Sequence, residues 1–256
     1  MTAAIWDPYC GTAPLPQDLI GRWNLDPVLL VAMAAAAALH LLALFQSGEF
    51  RRKEWFFAAG WLLLSALFIS PLCALSSALF SVRVAHHVIL IALIAPIFLL
   101  SLPDRWRALP FRSGAPAVFA FIIHTSVVWF WHAPSAYTFA LSSDFAFWVM
   151  QLSLAGSALV LWLCVLSPGV PLGSSMAVLL GSVMQMGLLG ALITFAPRPL
   201  YPSHLLTTEP FGLSALADQQ LAGLIMWVPA VVPYLAAALV LFGLRLARPD
   251  CPESVR

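Results

Sequence analysis

The amino-acid sequence predicts an all-α integral membrane protein, built as a bundle of seven transmembrane helices. Of its residues, 62% are hydrophobic and 9% are charged, whereas a soluble domain carries about 25% charged residues. Its apolar runs approach the roughly 20 residues that a helix needs to cross a bilayer. The runs are continuous and rich in Leu and Ala, without the alternation of a β-strand. A net charge of +1 provides no basic field for nucleic acid.

Clusters of charged residues and proline divide the apolar runs into seven predicted spans. The spans cover residues 27–45, 55–73, 82–101, 116–133, 144–166, 175–196 and 218–244. Residues 1–26 are rich in Pro, Gly and aromatic side chains and lack the basic-then-apolar order of a signal peptide. We expect them to lie along the outer membrane surface as a periplasmic segment. A transmembrane domain at 27–244 and a cytoplasmic tail at 245–256 would follow.

The distribution of Lys and Arg predicts the orientation of the bundle. Nine of the 12 basic residues fall on one side of the predicted spans. Because cytoplasmic loops carry the excess of Lys and Arg, we expect the N-terminus outside and the C-terminus inside. The inner group is Arg51, Arg52, Lys53, Arg105, Arg107, Arg112, Arg245, Arg248 and Arg256, and the outer group is Arg22, Arg83 and Arg198.

The first span opens with Asp26 and Pro27, which suit a helix N-cap and first turn. Two cysteines are predicted on the outer side, Cys10 in WDPYCG and Cys73 at the end of the second span. In an oxidising compartment they could form a disulfide, or a thiolate pair for a soft metal. Because no CxxC motif is present, isolated thiols with no joint role are the favoured interpretation.

The third span, SVRVAHHVILIALIAPIFLL, opens with three ionisable residues. Arg83 and His87 are spaced i, i+4 and share a helix face, whereas His86 points about 100° away. One such residue could simply reach the lipid headgroups, as a snorkelling arginine does. Three of them at the mouth of one span favour a function, for His87 more than for His86, because ionisable groups in a membrane are costly.

The fourth span carries HTSVVWFWHAP, with His124 about two turns before His132. Neutral imidazole is the commonest metal ligand, although a lone buried histidine is more often a hydrogen-bonded core residue. His132 ends its span on the side predicted for His87, so these two histidines form the candidate metal site. Met150 and Met226 lie near this level, where thioethers could select Cu(I) or fill gaps between helices.

The last span opens with DQQLAGLIMWVP, a polar start to an apolar helix. Asp218 could cap this helix or form an ion pair with Arg83, since an unpaired charge at this depth is costly. Gln219 would join the same polar cluster, together with His204 from the preceding loop. The sequence shows no nucleophile–base pattern, Gly-rich phosphate loop or HExxH motif, so an enzyme is poorly supported.

Five sequence blocks carry a resemblance to a known family. They are WNLDP, FSVRVAHHVILIALIAP, WFWHAPSAY, MGLLGALITFAPRPLYP and DQQLAGLIMWVP. Over nearly its whole length the chain resembles the seven-span CtaG-like (caa3-type) cytochrome c oxidase assembly factors. The resemblance implies a multi-pass protein of the bacterial inner membrane that assists the supply of copper to the binuclear centre of a haem-copper oxidase.

The chain departs from that family's pattern where the metal argument would be strongest. The pattern has a histidine at the position of Arg83, and histidines in the fifth span where this chain has Phe147 and Gln151. His87 and His132 match the pattern. Either Met, Cys or Asp completes a site, or this branch keeps the fold and has changed or lost direct copper binding.

The leading hypothesis is a non-enzymatic assembly factor facing the periplasm, which holds or passes Cu(I) or docks an oxidase subunit during copper insertion. Its expected partners are cytochrome c oxidase subunits, the lipid bilayer and periplasmic copper chaperones. A rival is a haem-binding membrane subunit in which His87 and His124 bracket a haem. Two further rivals are a small-ligand transporter, which would place its polar groups at the membrane midplane, and a structural partner without ligand.

Overall fold

The described part of the chain is helical. The computed structural model describes residues 8–107 and 113–247, and these contain no strand. Most of the predicted tail at 245–256 lies outside the described residues. The helices are α1 (Pro27–Ser47), α2 (Phe50–Phe68), α3 (Leu72–Ala78), α4 (Phe80–Ser101), α5 (Asp104–Arg107), α6 (Ala115–His132), α7 (Pro134–Ala140), α8 (Asp144–Leu166), α9 (Leu172–Thr194), α10 (Ala215–Trp227) and α11 (Val232–Leu246). Short 3₁₀ turns occupy Leu19–Gly21, Pro202–His204, Glu209–Phe211 and Pro229–Val231.

The predicted membrane class is confirmed. Six stretches are long and apolar enough to cross a bilayer, namely α1, α4, α6, α8, α9 and Ala215–Leu246, which comprises α10, a short turn and α11; the bent pair α2 and α3 would make a seventh. Apart from the second, each predicted span begins and ends within one helical turn of an observed stretch, although the last, predicted as one helix, is broken between α10 and α11. The exact count of seven and the orientation of the termini stay predictions.

The second span is bent where a continuous helix was predicted. Helices α2 and α3 meet at an angle of 45° after a break at 69–71. Pro71 explains the break, since proline has no N–H to donate to the carbonyl four residues earlier. The Ser70 hydroxyl donates to the carbonyl of Ala66 and so satisfies an acceptor that the interrupted helix leaves free.

Side-chain caps begin three of the long helices. The Asp26 carboxylate accepts a hydrogen bond from the Val28 backbone N–H at 2.9 Å, with Pro27 in the first turn as predicted. Ser143 and Ser214 cap α8 and α10 in the same way. These caps satisfy N–H groups that have no partner inside the helix, and they fix where each helix starts.

Helix α4 is the centre of the bundle. In its most apolar stretch 61% of the residues are buried, against 22% for α1. Residues Ile89–Ile94 form a π-helical stretch, a feature often found at functional sites. The Trp162 indole N–H donates to the Ile91 carbonyl at 2.9 Å, so a side chain of α8 satisfies a carbonyl within the π-helical stretch. The histidines of α4 therefore lie inside protein, just before a locally widened turn.

The bundle has two chemically different ends. The histidine end, as we call it, comprises 8–26, the beginning of α4, the end of α6 and the loop at 195–214. At the opposite end, Asp104 accepts hydrogen bonds and ion pairs from three cationic side chains. Its partners are Arg52, Lys53 and Arg107. These cations lower the pKa of Asp104 well below its usual value, and they belong to the group predicted to be cytoplasmic.

Candidate functional site

His87 and His132 meet at the histidine end. Their ring centroids are 5.5 Å apart and the planes are almost perpendicular, at 85°. His87 lies two turns into α4, while His132 is the last residue of α6, so two antiparallel helices bring the rings together. The side chains are 1% and 4% exposed, respectively, which places the pair inside the protein and away from lipid.

Each ring of this pair has one nitrogen engaged and one free. His132 Nδ1 lies 2.7 Å from the Val128 carbonyl and donates its proton there, which leaves the lone pair of Nε2 without a partner in the part of the chain that the structure describes. His87 Nε2 lies 3.5 Å from the Gln151 amide, and its Nδ1 has no partner among the described residues. Fixing one nitrogen and leaving the other free is the usual arrangement of a metal-binding histidine.

The other two predicted histidine ligands have different surroundings. The ring of His86 lies edge-on to Phe68 at 4.9 Å, and its centroid is 6.0 Å from that of His87. His124 is deeper in α6, where its Nδ1 lies 2.9 Å from the Ser157 hydroxyl. His86 thus borders the candidate site, whereas His124 packs as a hydrogen-bonded core residue. These contacts give no support to a haem held between His87 and His124.

Arg83 is fully buried one turn before His87. Its guanidinium carbon lies 5.2 Å from the centre of the Phe147 ring, a cation–π contact. No carboxylate pairs with the guanidinium among the described residues, and the neutral hydroxyl of Tyr137 is the polar group beside it. An unpaired buried cation is among the most costly features a protein can contain, so this position demands an explanation.

The predicted ion pair between Arg83 and Asp218 is wrong. The Asp218 carboxylate accepts hydrogen bonds from the backbone N–H of Phe80 at 2.7 Å and of Ser81 at 3.2 Å, and from the Ser81 hydroxyl. No salt bridge joins it to Arg83 in the described part of the chain. The N-terminus of α4 has orphan N–H groups and a positive dipole end, and it takes the carboxylate instead. The cap expected from Asp218 on its own helix is supplied by Ser214.

Gln219 holds the adjoining loop and not the metal site. Its side-chain oxygen accepts from the Leu200 N–H at 2.6 Å, and its amide nitrogen donates to the carbonyls of Ile193 and Arg198. Gln219 is 2% exposed, so these bonds are the way its amide is satisfied in the interior. They anchor the loop at 195–214 against α10.

That loop forms a roof of aromatic and imidazole groups over the site. His204 Nε2 accepts a hydrogen bond from the Tyr137 hydroxyl at 2.7 Å, and its Nδ1 donates to the Ala78 carbonyl at 3.2 Å. The Tyr201 hydroxyl donates to the His132 carbonyl at 2.8 Å. Burial lowers the pKa of His204 to about 4. His204 is therefore a neutral structural residue that joins loop, α7 and α3.

A disulfide decides between the interpretations left open for Cys10 and Cys73. The two sulfurs are bonded, across a sequence separation of 63 residues. Isolated thiols, the favoured interpretation, are therefore wrong, since the fold brings these distant residues within bonding reach. Tyr9, beside Cys10, stacks on Phe147 with ring centroids 5.1 Å apart and donates to the Asp26 carboxylate. The disulfide thus holds the N-terminal segment over the aromatic ring that underlies Arg83.

The candidate thioether side chains are both buried: Met150 is 0% exposed and Met226 is 1% exposed. Met226 packs where α9 and α10 touch, near Gly190. Among residues 8–107 and 113–247, no three His, Cys, Asp or Glu side chains gather in a way that could hold a metal. A metal here would therefore have two imidazoles, and any further ligand would come from another residue type or from outside the chain.

Three residues of the site had no assigned role in the sequence. They are Tyr137, Tyr201 and Ser81, all of which contact the groups described above. Tyr137 ends the block WFWHAPSAY and Tyr201 lies in APRPLYP. In the sequence, both tyrosines lie near prolines. Only the fold shows which polar group each tyrosine hydroxyl contacts.

Comparison with known proteins gives the family. A model described as cytochrome c oxidase caa3 assembly factor (Caa3_CtaG) matches residues 38–247. The chain belongs to this family. No curated protein and no solved structure matches it. Members of the Caa3_CtaG family are cytochrome c oxidase assembly factors, which agrees with the resemblance seen in the sequence.

The departures of this Caa3_CtaG chain from the expected histidine pattern lie close together. Arg83 is over the Phe147 ring at 5.2 Å, and the Gln151 amide lies 3.5 Å from His87. The three positions where the resemblance led us to expect histidines thus lie near His87. A cation, an aromatic ring and an amide occupy them in this chain.

Proposed function

We propose that the chain assists cytochrome c oxidase assembly by holding Cu(I) at His87 and His132, on the periplasmic side of a bacterial inner membrane. Family membership supports the assembly role. One observation carries the copper part: two buried imidazoles 5.5 Å apart, each with one anchored and one free nitrogen. The chain acts as a carrier or docking factor and not as an enzyme.

The chemistry of the pair suits a monovalent soft metal. Metal–imidazole bonds are about 2 Å long, so rings at this spacing can share one ion. His132 offers Nε2, since its Nδ1 proton is committed to Val128. With the Gln151 oxygen turned toward His87 Nε2–H, His87 would offer Nδ1. Met150, a buried thioether of α8, is the candidate third ligand of the soft type that Cu(I) favours.

Two independent features support the periplasmic orientation of the site. The histidine end carries the fewer basic residues, as expected for a non-cytoplasmic surface. It also carries the Cys10–Cys73 disulfide, which is typical of an oxidising compartment. Copper insertion into an oxidase from this side would involve oxidase subunits and periplasmic copper chaperones as partners.

Metal content tests this proposal. Purified wild-type protein reconstituted anaerobically with Cu(I) should retain one ion per chain, and H87A/H132A should bind at least about tenfold more weakly, a loss of ~1.4 kcal/mol or more. H40Q is the matched control, because His40 is a buried, hydrogen-bonded histidine at the opposite end. Equal copper in wild type and the double variant would contradict the site.

The cellular role has its own measurement. A strain without the gene, complemented with H87A/H132A, should contain oxidase with normal haem and reduced copper, whereas H40Q should restore both. Oxidase copper that does not depend on the gene would contradict a role in copper supply and leave assembly by docking as the remaining function.

A further inference from the structure

We propose that the buried guanidinium of Arg83, beside the His87–His132 pair, binds a small oxyanion of the carboxylate class. The proposal rests on the buried guanidinium of Arg83, which takes no part in the proposed copper site. It begins with a concentration of unsatisfied polar atoms at one place in the fold.

The unsatisfied atoms belong to Arg83 and His86, which lie beside His87 in α4. Each atom is buried and has no hydrogen-bond partner among the described residues. Leaving one such atom unpaired costs about 1–3 kcal/mol, and more for a charged group. In folded proteins such groups are satisfied by ordered water or by a bound ligand. The atoms are Arg83 Nε, Nη1 and Nη2 and both ring nitrogens of His86.

The charge of this region decides which species fits. Arg83 is 0% exposed, and the Asp218 carboxylate, directed to the backbone of Phe80 and Ser81, forms no salt bridge with it among the described residues. Water could satisfy the neutral groups, but it would not neutralise a guanidinium inside a membrane protein. An anion supplies both hydrogen-bond acceptors and the missing negative charge, and a planar carboxylate matches the guanidinium fork with two parallel bonds.

The enclosure of the Arg83 side chain favours a small free anion over a side chain of a partner protein. Phe147 covers one face of the guanidinium, and Tyr9 in turn stacks on Phe147. Tyr137 is fully buried at the same level and is held by His204. A partner's Asp or Glu would need an open channel through this roof, whereas a one-carbon anion needs only transient opening.

The anion would also complete the copper site electrostatically. Cu(I) on two neutral imidazoles carries one positive charge, one helical turn from the positive charge of Arg83. Two cations in a dry pocket repel strongly, and a carboxylate between them would remove that repulsion. Only this part of the inference depends on the proposed function.

Formate is the probe that tests the site. In metal-free protein in nanodiscs, titration of ¹³C-formate followed by NMR should show saturable binding of one formate per chain. R83Q should weaken binding at least about tenfold, or ~1.4 kcal/mol. R83K, which keeps the charge but loses the fork, should fall between them. R198Q should bind like wild type, because Arg198 is an exposed arginine at the same end.

A second measurement guards against a variant that fails to fold. In formate-free buffer, R83Q should unfold at the same temperature as wild type or higher, since it removes a buried uncompensated charge. Added formate should raise the unfolding temperature of wild type and R198Q but not of R83Q. Wild-type protein without saturable formate binding overturns the proposal, as does equal binding by wild type and R83Q. Copper binding that survives such a result would leave the proposed function intact.

Discussion

At the scale of single residues, burial at the histidine end turns ionisable groups into fixed parts of the structure. His204 shows this clearly, because it lies in a loop yet is 2% exposed and bonded at both ring nitrogens. As donor to Ala78 and acceptor from Tyr137, it must be neutral to make both bonds. Its protonation state is therefore coupled to the folding of the loop.

This coupling predicts a pH dependence of stability. Burial lowers the pKa of His204 from 6.5 to about 4, so the unfolded chain binds its proton more readily than the folded chain does. The stability from the neutral ring is complete above pH 6.5 and is lost as the pH falls from 6.5 towards 4. H204Q should be less stable than wild type by about 1–3 kcal/mol at neutral pH.

Thermal unfolding of both proteins across this pH range checks the prediction. The difference in unfolding free energy between wild type and H204Q should shrink on acidification, because only wild type contains the buried ring that resists protonation. A difference that stays constant with pH would show that His204 acts only through its shape.

At the scale of secondary-structure elements, α9 and α10 approach each other closely at two glycines. A Cβ atom built on Gly190 would lie 2.7 Å from the Gly223 carbonyl oxygen, and one on Gly223 would lie 2.6 Å from the Gly190 carbonyl oxygen. Small residues allow such backbone contact in membranes, where packing replaces the hydrophobic effect between helices. This contact fixes α10 and hence the height of Asp218 beneath α4.

Alanine at this contact should therefore separate the helices. G223A places a methyl group 2.2 Å from the Thr194 hydroxyl, and we expect a loss of about 1–3 kcal/mol. G187A is the matched control in α9, since its Cβ would lie 3.7 Å from Trp227, an ordinary contact. Unfolding temperatures in detergent measure both. A G223A protein as stable as G187A would mean that the helices separate at little cost.

At the scale of the whole molecule, the disulfide ties the N-terminal segment to the end of the second span. The Cys10–Cys73 bond closes a long loop that contains α1 and α2. Asn24 adds hydrogen bonds to the carbonyls of Phe68 and Ile69 at 3.1 Å and 2.8 Å. Together they hold the segment over the roof of the site.

Removing this tie should loosen the roof and lower global stability. C10S/C73S should lose about 2–4 kcal/mol, because the unfolded chain regains the freedom that the bond removes. A reductant should lower the unfolding temperature of wild type to that of the variant and leave the variant unchanged. An unfolding temperature insensitive to reductant in both proteins would contradict a stabilising disulfide.

The sequence alone determined the helical membrane class, the positions of most spans and the family. Long apolar runs need only local chemistry to become helices in lipid, since every backbone bond is satisfied within the segment. Pro71 could have predicted the bend after Phe68. The same apolar run would, however, fit either two separate short helices or one bent span. Periodicity also placed Arg83 and His87 on one face.

Only the tertiary structure decided which side chains contact each other at the histidine end. Sequence showed Arg83 and Asp218 as opposite charges at one depth, and the fold instead gave the carboxylate to the N-terminus of α4. It joined Cys10 to Cys73, and it set His87 beside His132. The physical reason is that charge and depth do not fix direction: a buried polar group pairs with the partner that helix packing aims at it, and packing depends on contacts far apart in the chain.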